Sequence, residues 1–369
     1  MRGKSEGTLE TSASAGSSPR RSNIELLRIV SMFAIVACHF INRSVLNAQD
    51  ETSTLNGVWS YLLLLFGKSG VNLFVLISGY FLVVRRAFNA NKVVQIIACA
   101  FFYSMLFFAV FTASGAQPFS IKELVWHAAP ITFCRWWFVS AYFILYILSP
   151  YINISLRALS RRQYLVLLTV LTILWCVIPT ITGVLPESAG RYYQSDRPLW
   201  FVFLYSVGGY VRLFGTPEKL RRPVGNWILV AFTCLASLFF ACVSIKIKRV
   251  YDIQTVPPFV ISLLIFLVFS EMRLAYNKTI NLISSATFGV YLIHDHDYVR
   301  VFLWETLFHG KTYSESVLLI PYSLFVATVV FAGCAALELA RIHWFGKYFA
   351  FLSERIVAAI KKVAHKILP

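Results

Sequence analysis

The chain has 369 residues, of which 58% are hydrophobic, 16% aromatic and only 14% charged, against about 25% charged in soluble proteins. With a mean hydropathy of +0.67, this composition excludes an ordinary soluble domain and points to a polytopic membrane protein. A net charge of +17 could serve nucleic acid, but in a membrane chain its simpler source is cytoplasmic loops rich in Lys and Arg, so the expected partner is the bilayer and not a nucleic acid.

Backbone exposed to lipid must satisfy its own hydrogen bonds, which leaves helices or a closed barrel. A barrel would show short alternating strands, whereas the apolar runs here are long and unalternating. The expected fold is therefore all-α, a membrane helical bundle. Residues 1–21, rich in Ser, Gly and Thr, read as a disordered cytoplasmic tail. They lack the apolar stretch of a signal peptide.

About ten spans follow, near 24–42, 68–84, 92–113, 133–154, 164–183, 198–214, 226–245, 257–272, 282–303 and 316–341. The short apolar piece 57–66, GVWSYLLLLF, reads as re-entrant or interfacial. Arg20 and Arg21, Arg85, Arg86 and Lys92, Arg157, Arg161 and Arg162, and Arg212, Lys219, Arg221 and Arg222 all fall on one side of such a bundle. So do Arg273 and Lys278, and the basic residues after the last span. By the positive-inside rule that side is cytoplasmic, with both termini there. Lys246, Lys248 and Arg249 are the exception. The membrane domain is expected over residues 22–344. Residues 345–369 alternate apolar and basic positions at helical spacing, as in a tail lying on anionic lipid at the inner surface. The seven cysteines are scattered without a CxxC pair and read as packing residues.

In the first span, RIVSMFAIVACH places Arg28 and His39 eleven residues apart. At 100° per residue they share a face, about 16 Å apart along the axis, with Glu25 near the same face. Ionisable groups in a span tend to face a bundle interior or a wet cavity. The plainer reading has Arg28 snorkelling to the inner headgroups and His39 in the outer interface. In the second span, GKSGVNLFVLISGYFLVVRR, Lys68 and Asn72 enter from outside, and Gly79 permits close helix approach. Arg85 and Arg86 are topology signals that could form a phosphate-binding patch with Arg28.

In the fourth span, Arg135, Trp136 and Trp137 are either an interfacial aromatic belt or a surface that holds a sugar or an anionic group. In the ninth, SATFGVYLIHDHDYVR carries His294, Asp295, His296 and Asp297. On a continuous helix His294 can pair with Asp297, but His294 and Asp295 cannot both point inward. A histidine oriented by a carboxylate for proton transfer stands against a polar belt. No further ligand sits at metal spacing, so no metal is expected.

At these residues the chain resembles the integral membrane acyltransferase 3 family. IELLRIVSMFAIVACH resembles its first helix, marked by an arginine, ten residues and a histidine. FVLISGYFL resembles its second-helix segment. RWWFVSAYFILYILSPYIN and TFGVYLIHDHDYVR are similar to segments of a branch that modifies bacterial polysaccharides. The match runs from Ile24 to about Trp344. The resemblance implies a multi-pass cell-membrane enzyme that moves an acyl group, usually acetyl, from cytoplasmic acyl-CoA to a saccharide hydroxyl. His39 matches the family's essential histidine and Arg28 its partner arginine. The family's second basic motif, two arginines separated by two residues, is replaced here by adjacent Arg85 and Arg86 with Lys92. Arg28, Arg85 and Arg86 would contact acetyl-CoA, and His294, with Asp297 or Asp295, would orient the acceptor or assist the proton. Arg135, Trp136, Trp137, Asp295 and Asp297 would meet the acceptor. The extra extracytoplasmic hydrolase-like domain of some relatives is not expected. The rival from another class is a transporter or flippase for a polysaccharide precursor, which would favour discontinuous helices and inverted repeats.

Overall fold

The computed structural model describes residues 21–45, 55–184, 197–243 and 252–367, and within them all regular structure is helical. In chain order the helices are α1 Ser22–Phe40, α2 Leu55–Leu82, α3 Ala90–Ala113, α4 Ile121–Ala128, α5 Trp137–Ala158, α6 Arg161–Thr172, α7 Ile178–Val184, α8 Arg197–Phe214, α9 Pro223–Val243, α10 Val256–Glu271, α11 Lys278–His294, α12 Asp297–Val301 and α13 Leu319–Ile367. A π-helical turn, Ile41–Val45, extends α1, and another, Ile173–Val177, joins α6 to α7. Six of these runs are long and apolar enough to cross a membrane: 22–45, 55–82, 90–113, 137–158, 161–183 and 319–363. α8, α9 and α10 contribute shorter apolar helices. The chain thus forms a helical membrane bundle.

Three expected boundaries move. The piece 57–66 is not a separate interfacial element but the first half of α2. Gly67 and Gly70, which interrupt its apolar pattern, pack against Cys38 and the Ser31 carbonyl of α1, so the helix runs on through them. The ninth span ends early. α11 stops at His294, with Asp295 as its C-cap, and a separate short helix α12 begins at Asp297 behind the N-cap His296. The tail 345–367 has no boundary of its own and continues α13 as one 49-residue helix. Lys246, Lys248, Arg249 and residues 1–20 lie outside the described residues.

Local chemistry explains several elements. The Ser160 and Gln163 side chains form a reciprocal capping box at the start of α6, which satisfies N–H groups that the helix cannot. Pro150 inside α5 cannot donate to the Tyr146 carbonyl, and Ser149 Oγ does so instead at 2.7 Å. α2 crosses α8 closely because Gly79 faces the Tyr205 carbonyl and Gly208 faces the Leu76 carbonyl, the small-residue contact that membrane helices favour.

Two hydrophobic cores result. One joins α2, α5, α6, α8 and α10 around Trp200, Phe201, Phe203 and Phe266. The other joins the far half of α1 to α3, α11 and α13 around Phe40, Trp136, Val290 and Trp304. Val71, Phe138 and Tyr142 pack against both. The basic loops gather at one end: Arg21 donates to Tyr80 Oη at 2.7 Å and to the Ser270 carbonyl at 3.0 Å, Arg212 lies over the Tyr80 ring, and Asn153 reaches the Arg85 carbonyl at 3.0 Å.

Candidate active site

α1 and α11 run side by side in the same direction, and polar clamps set their register. At the basic end Ser22 Oγ accepts from the Asn277 backbone N–H at 2.8 Å and from Asn281 at 3.0 Å. Further along, Ser284 bonds the Glu25 carboxylate. Seventeen residues separate Ser22 from His39, and seventeen separate Asn277 from His294. Equal rise on two helices therefore brings the two histidines level, and His39 Nδ1 lies 2.9 Å from His294 Nε2.

The bonding fixes the protons. His294 is fully buried, and its Nδ1 lies 2.6 Å from the Val290 carbonyl. A carbonyl only accepts, so Nδ1 carries the hydrogen and Nε2 of the neutral ring is an acceptor. His39 must then donate through Nδ1, which leaves the lone pair on His39 Nε2. That arrangement can take a proton from a bound hydroxyl.

Asp295 Oδ1 lies 3.7 Å from His39 Nδ1 and 2.7 Å from Arg43 Nη2. Arg43 sits on the π-helical turn that widens the end of α1, a distortion common at functional sites. The charges of Asp295, Arg43 and Lys68 all reach the His39 ring. Asn72, in contrast, is structural: it bonds the Ile253 carbonyl and Trp200 Nε1 at 2.8 and 3.0 Å.

This geometry decides between the two carboxylates left open for the histidine. Asp295, not Asp297, approaches the histidines, while His294 turns to His39. The helical argument against His294 and Asp295 sharing a side fails because α11 ends between them. Asp297 instead binds Arg135 at 3.2 Å and Arg300 at 3.1 Å. Arg135 also meets Glu123 at 3.1 Å and His127 Nε2 at 2.6 Å. It is held by a tight turn in which Cys134 adopts a positive φ of 52°. Trp136 is buried at 2% exposure, so it is no interfacial belt residue. Trp137 is half-buried and lines a cavity of about 350 Å³ with Arg43, Trp126, Arg135, Asp295 and Asp297.

Toward the basic end, Arg28 lies 3.4 Å from the Glu25 carboxylate. The fields of Arg28 and Arg85 both reach the Tyr142 hydroxyl of α5, which lies 3.2 Å from Ser78 Oγ. Arg85 and Arg86 are exposed beyond the end of α2. Among the described residues, no group of three or more His, Cys, Asp or Glu side chains is arranged to hold a metal ion.

Sequence reasoning passed over Arg43, Glu123, His127 and Arg300. Arg43 carried a usable signal, four residues beyond His39 and so on the same face. The small helix α4, source of Glu123 and His127, is too short and polar to register as a span.

No curated protein and no solved structure matches the chain. A family model described as an acyltransferase domain matches residues 21–339. That stretch takes in every helix from α1 to the body of α13 and every residue of the paired-histidine site, and the chain accordingly belongs to the acyltransferase 3 family.

Proposed function

We propose that the protein is a cell-membrane O-acyltransferase that moves an acetyl group from cytoplasmic acetyl-CoA to a sugar hydroxyl of a surface polysaccharide, an exopolysaccharide or their precursor. The observation that carries this reading is the ordered chain from the Val290 carbonyl through His294 to His39, which leaves a lone pair on His39 Nε2.

His39 Nε2 takes the proton of the acceptor hydroxyl as its oxygen attacks the thioester carbonyl. The C–S bond then breaks, and the CoA thiolate leaves with the proton from His39. Asp295 at 3.7 Å favours the imidazolium that forms in between. His294 orients the ring and holds its tautomer. A covalent acyl-His39 is a variant of the same scheme.

Arg28, with Arg85 and Arg86, meets the phosphates of the donor at the basic end. The rise from Arg28 to His39 is about 16 Å, on the scale of an extended pantetheine arm. Arg135, Trp136, Trp137, Asp295 and Asp297 build the acceptor side. No resident metal enters the scheme.

The test is transfer of label from radiolabelled acetyl-CoA to a polysaccharide extract of the source cells by purified protein. Label reaches glycan with wild type and not with His39→Ala. Full transfer by folded His39→Ala overturns the mechanism. Absence of both transfer and CoA release from folded wild type favours the precursor transporter.

A further inference from the structure

The cavity at Asp295, whose carboxylate lies 3.7 Å from His39 Nδ1, is built from more donors than its own acceptors engage. Its wall presents three guanidinium groups, from Arg43, Arg135 and Arg300, and two carboxylates, from Asp295 and Asp297. Both carboxylates are committed: Asp295 to Arg43 at 2.7 Å, and Asp297 to Arg135 and Arg300 at 3.2 and 3.1 Å. Glu123 takes up Arg135 Nη2 from the far side at 3.1 Å. Arg43 and Arg300 stay about a third exposed.

Next in the chain to residues of the wall stand further donors with nothing to bind. His296 is 2% exposed and accepts the Tyr298 N–H at Nδ1, 3.2 Å away. Its neutral ring therefore carries the proton on Nε2, and that atom is buried without a partner. Trp136 Nε1, on a side chain also 2% exposed, has none either, and its ring centroid lies 5.6 Å from that of His296. Arg43 Nε is a third. In the chain, His296 stands between Asp295 and Asp297, and Trp136 between Arg135 and Trp137, all four lining the cavity. Buried polar groups are nearly always paired, and an unpaired donor is costly. Of these donors, Arg43 belongs to the wall itself, so the cavity offers guanidinium donors beyond those its own carboxylates engage, and such donors suit a group rich in acceptors.

We propose that this cavity binds an anionic group, a carboxylate or phosphate, carried by the acceptor beside the hydroxyl that is acylated, which makes the acceptor an acidic saccharide. The inference rests on reading the cavity as the acceptor site. Guanidinium forks match the paired oxygens of such groups, and Trp126 and Trp137 line the same cavity, bringing the aromatic surface that a sugar ring favours. A neutral sugar, whose hydroxyls both donate and accept, uses the same wall less well.

The cavity contains its own reporter. Cys134 lines it and is exposed, while Cys38, Cys99, Cys176, Cys234 and Cys334 are buried. In purified full-length protein carrying Cys242→Ser, the rate of Cys134 alkylation by a maleimide reports occupancy without reference to catalysis. Glucuronic acid, glucose 6-phosphate and glucose, each at millimolar concentration, are the probes. The expected result is several-fold slower alkylation with one or both anionic sugars and little effect of glucose. Which anion protects separates carboxylate from phosphate recognition. Arg300→Gln raises the concentration of anionic sugar needed for half-maximal protection by about ten- to a hundredfold. Arg300→Lys, which keeps the charge without the fork, falls between. If Arg300→Gln fails to fold, the contrast between glucose and the anionic sugars still decides in wild-type protein. Equal protection by glucose overturns the anion preference. No protection by any probe, alongside His39-dependent transfer to polysaccharide, overturns the cavity as acceptor site and leaves the acyltransferase reading standing. Selective protection by the anions without any transfer supports the anion site and counts only against the acyl chemistry.

Discussion

His294→Phe tests the paired-histidine arrangement directly. The substitution keeps the ring shape in a fully buried site but deletes Nε2, the acceptor 2.9 Å from His39 Nδ1. His39 then loses the bond that holds its tautomer, and its nearest remaining partner is Asp295 at 3.7 Å, too far for a hydrogen bond. Leaving a buried donor unpaired costs about 1–3 kcal/mol, which at about 1.4 kcal/mol per tenfold lowers the rate by roughly 5- to 150-fold. The KM for acetyl-CoA should hardly move, because Arg28 is about 16 Å away along α1. His294→Gln, whose side-chain oxygen can accept from His39, should recover part of the rate. The assay is thiol release from acetyl-CoA in the presence of polysaccharide, with thermal unfolding in detergent as a control for folding. A His294→Phe protein with kcat within about twofold of wild type would refute the reasoning, since the cost above puts the smallest loss near fivefold. So would equal losses in the Phe and Gln variants.

Arg28→Ala should raise KM for acetyl-CoA by about ten- to a hundredfold while kcat changes much less, with Arg28→Lys intermediate; steady-state kinetics over acetyl-CoA concentration decide it. Glu338 is 2% exposed and bonds Arg341 through both oxygens at 2.7 Å and Tyr103 at 2.6 Å. Glu338→Leu therefore strands a cation and should cost about 3–5 kcal/mol, most of it recovered in Glu338→Leu/Arg341→Met, as read by thermal unfolding. Gly208→Val drives a side chain into the Leu76 carbonyl and should lower stability by about 1–3 kcal/mol, also read as Tm. Burial first, and then the Arg135 guanidinium, push the His127 imidazole down to about 4. The unfolded chain then binds more protons than the folded one between pH 6.5 and 4, so stability present above pH 6.5 is lost as pH falls through that window. His127→Phe should flatten the Tm against pH there, and an unchanged slope would assign the acid sensitivity elsewhere.

Much of the bundle was legible because long apolar runs leave the backbone few choices in lipid. α3, α8 and α10 fall within two residues of the expected limits at both ends. Where the reading failed, a polar or small residue had been taken for an edge. Gly67 and Gly70 look like an interruption until α1 is placed against them, and the tail after Trp344 looks separate because its composition changes while its helix does not. At the site, Arg28 and His39 were visible through their period along one helix. The partner of His39 was not, since it depends on the register of α11 against α1, set by Ser22, Asn277 and Asn281 at the opposite end. The helical argument favoured Asp297 over Asp295 because it did not foresee the end of α11, and a C-cap without Gly or Pro leaves little trace in sequence.

The length of α13 has a mechanical consequence. Forty-nine residues at 1.5 Å each make a helix of about 73 Å, against a hydrocarbon layer of about 30 Å. Even tilted by about 40°, the upper end of the usual range, such a helix threads only about 39 Å of lipid. Roughly 34 Å of it must stand clear of the hydrocarbon, and that remainder holds Lys347, Arg355, Lys361 and Lys362. α13 is therefore a ruler as well as a span. Whatever its far end meets is held at a set height above the bilayer, and a push there is delivered by a stiff lever to the core that α13 shares with α1 and α11.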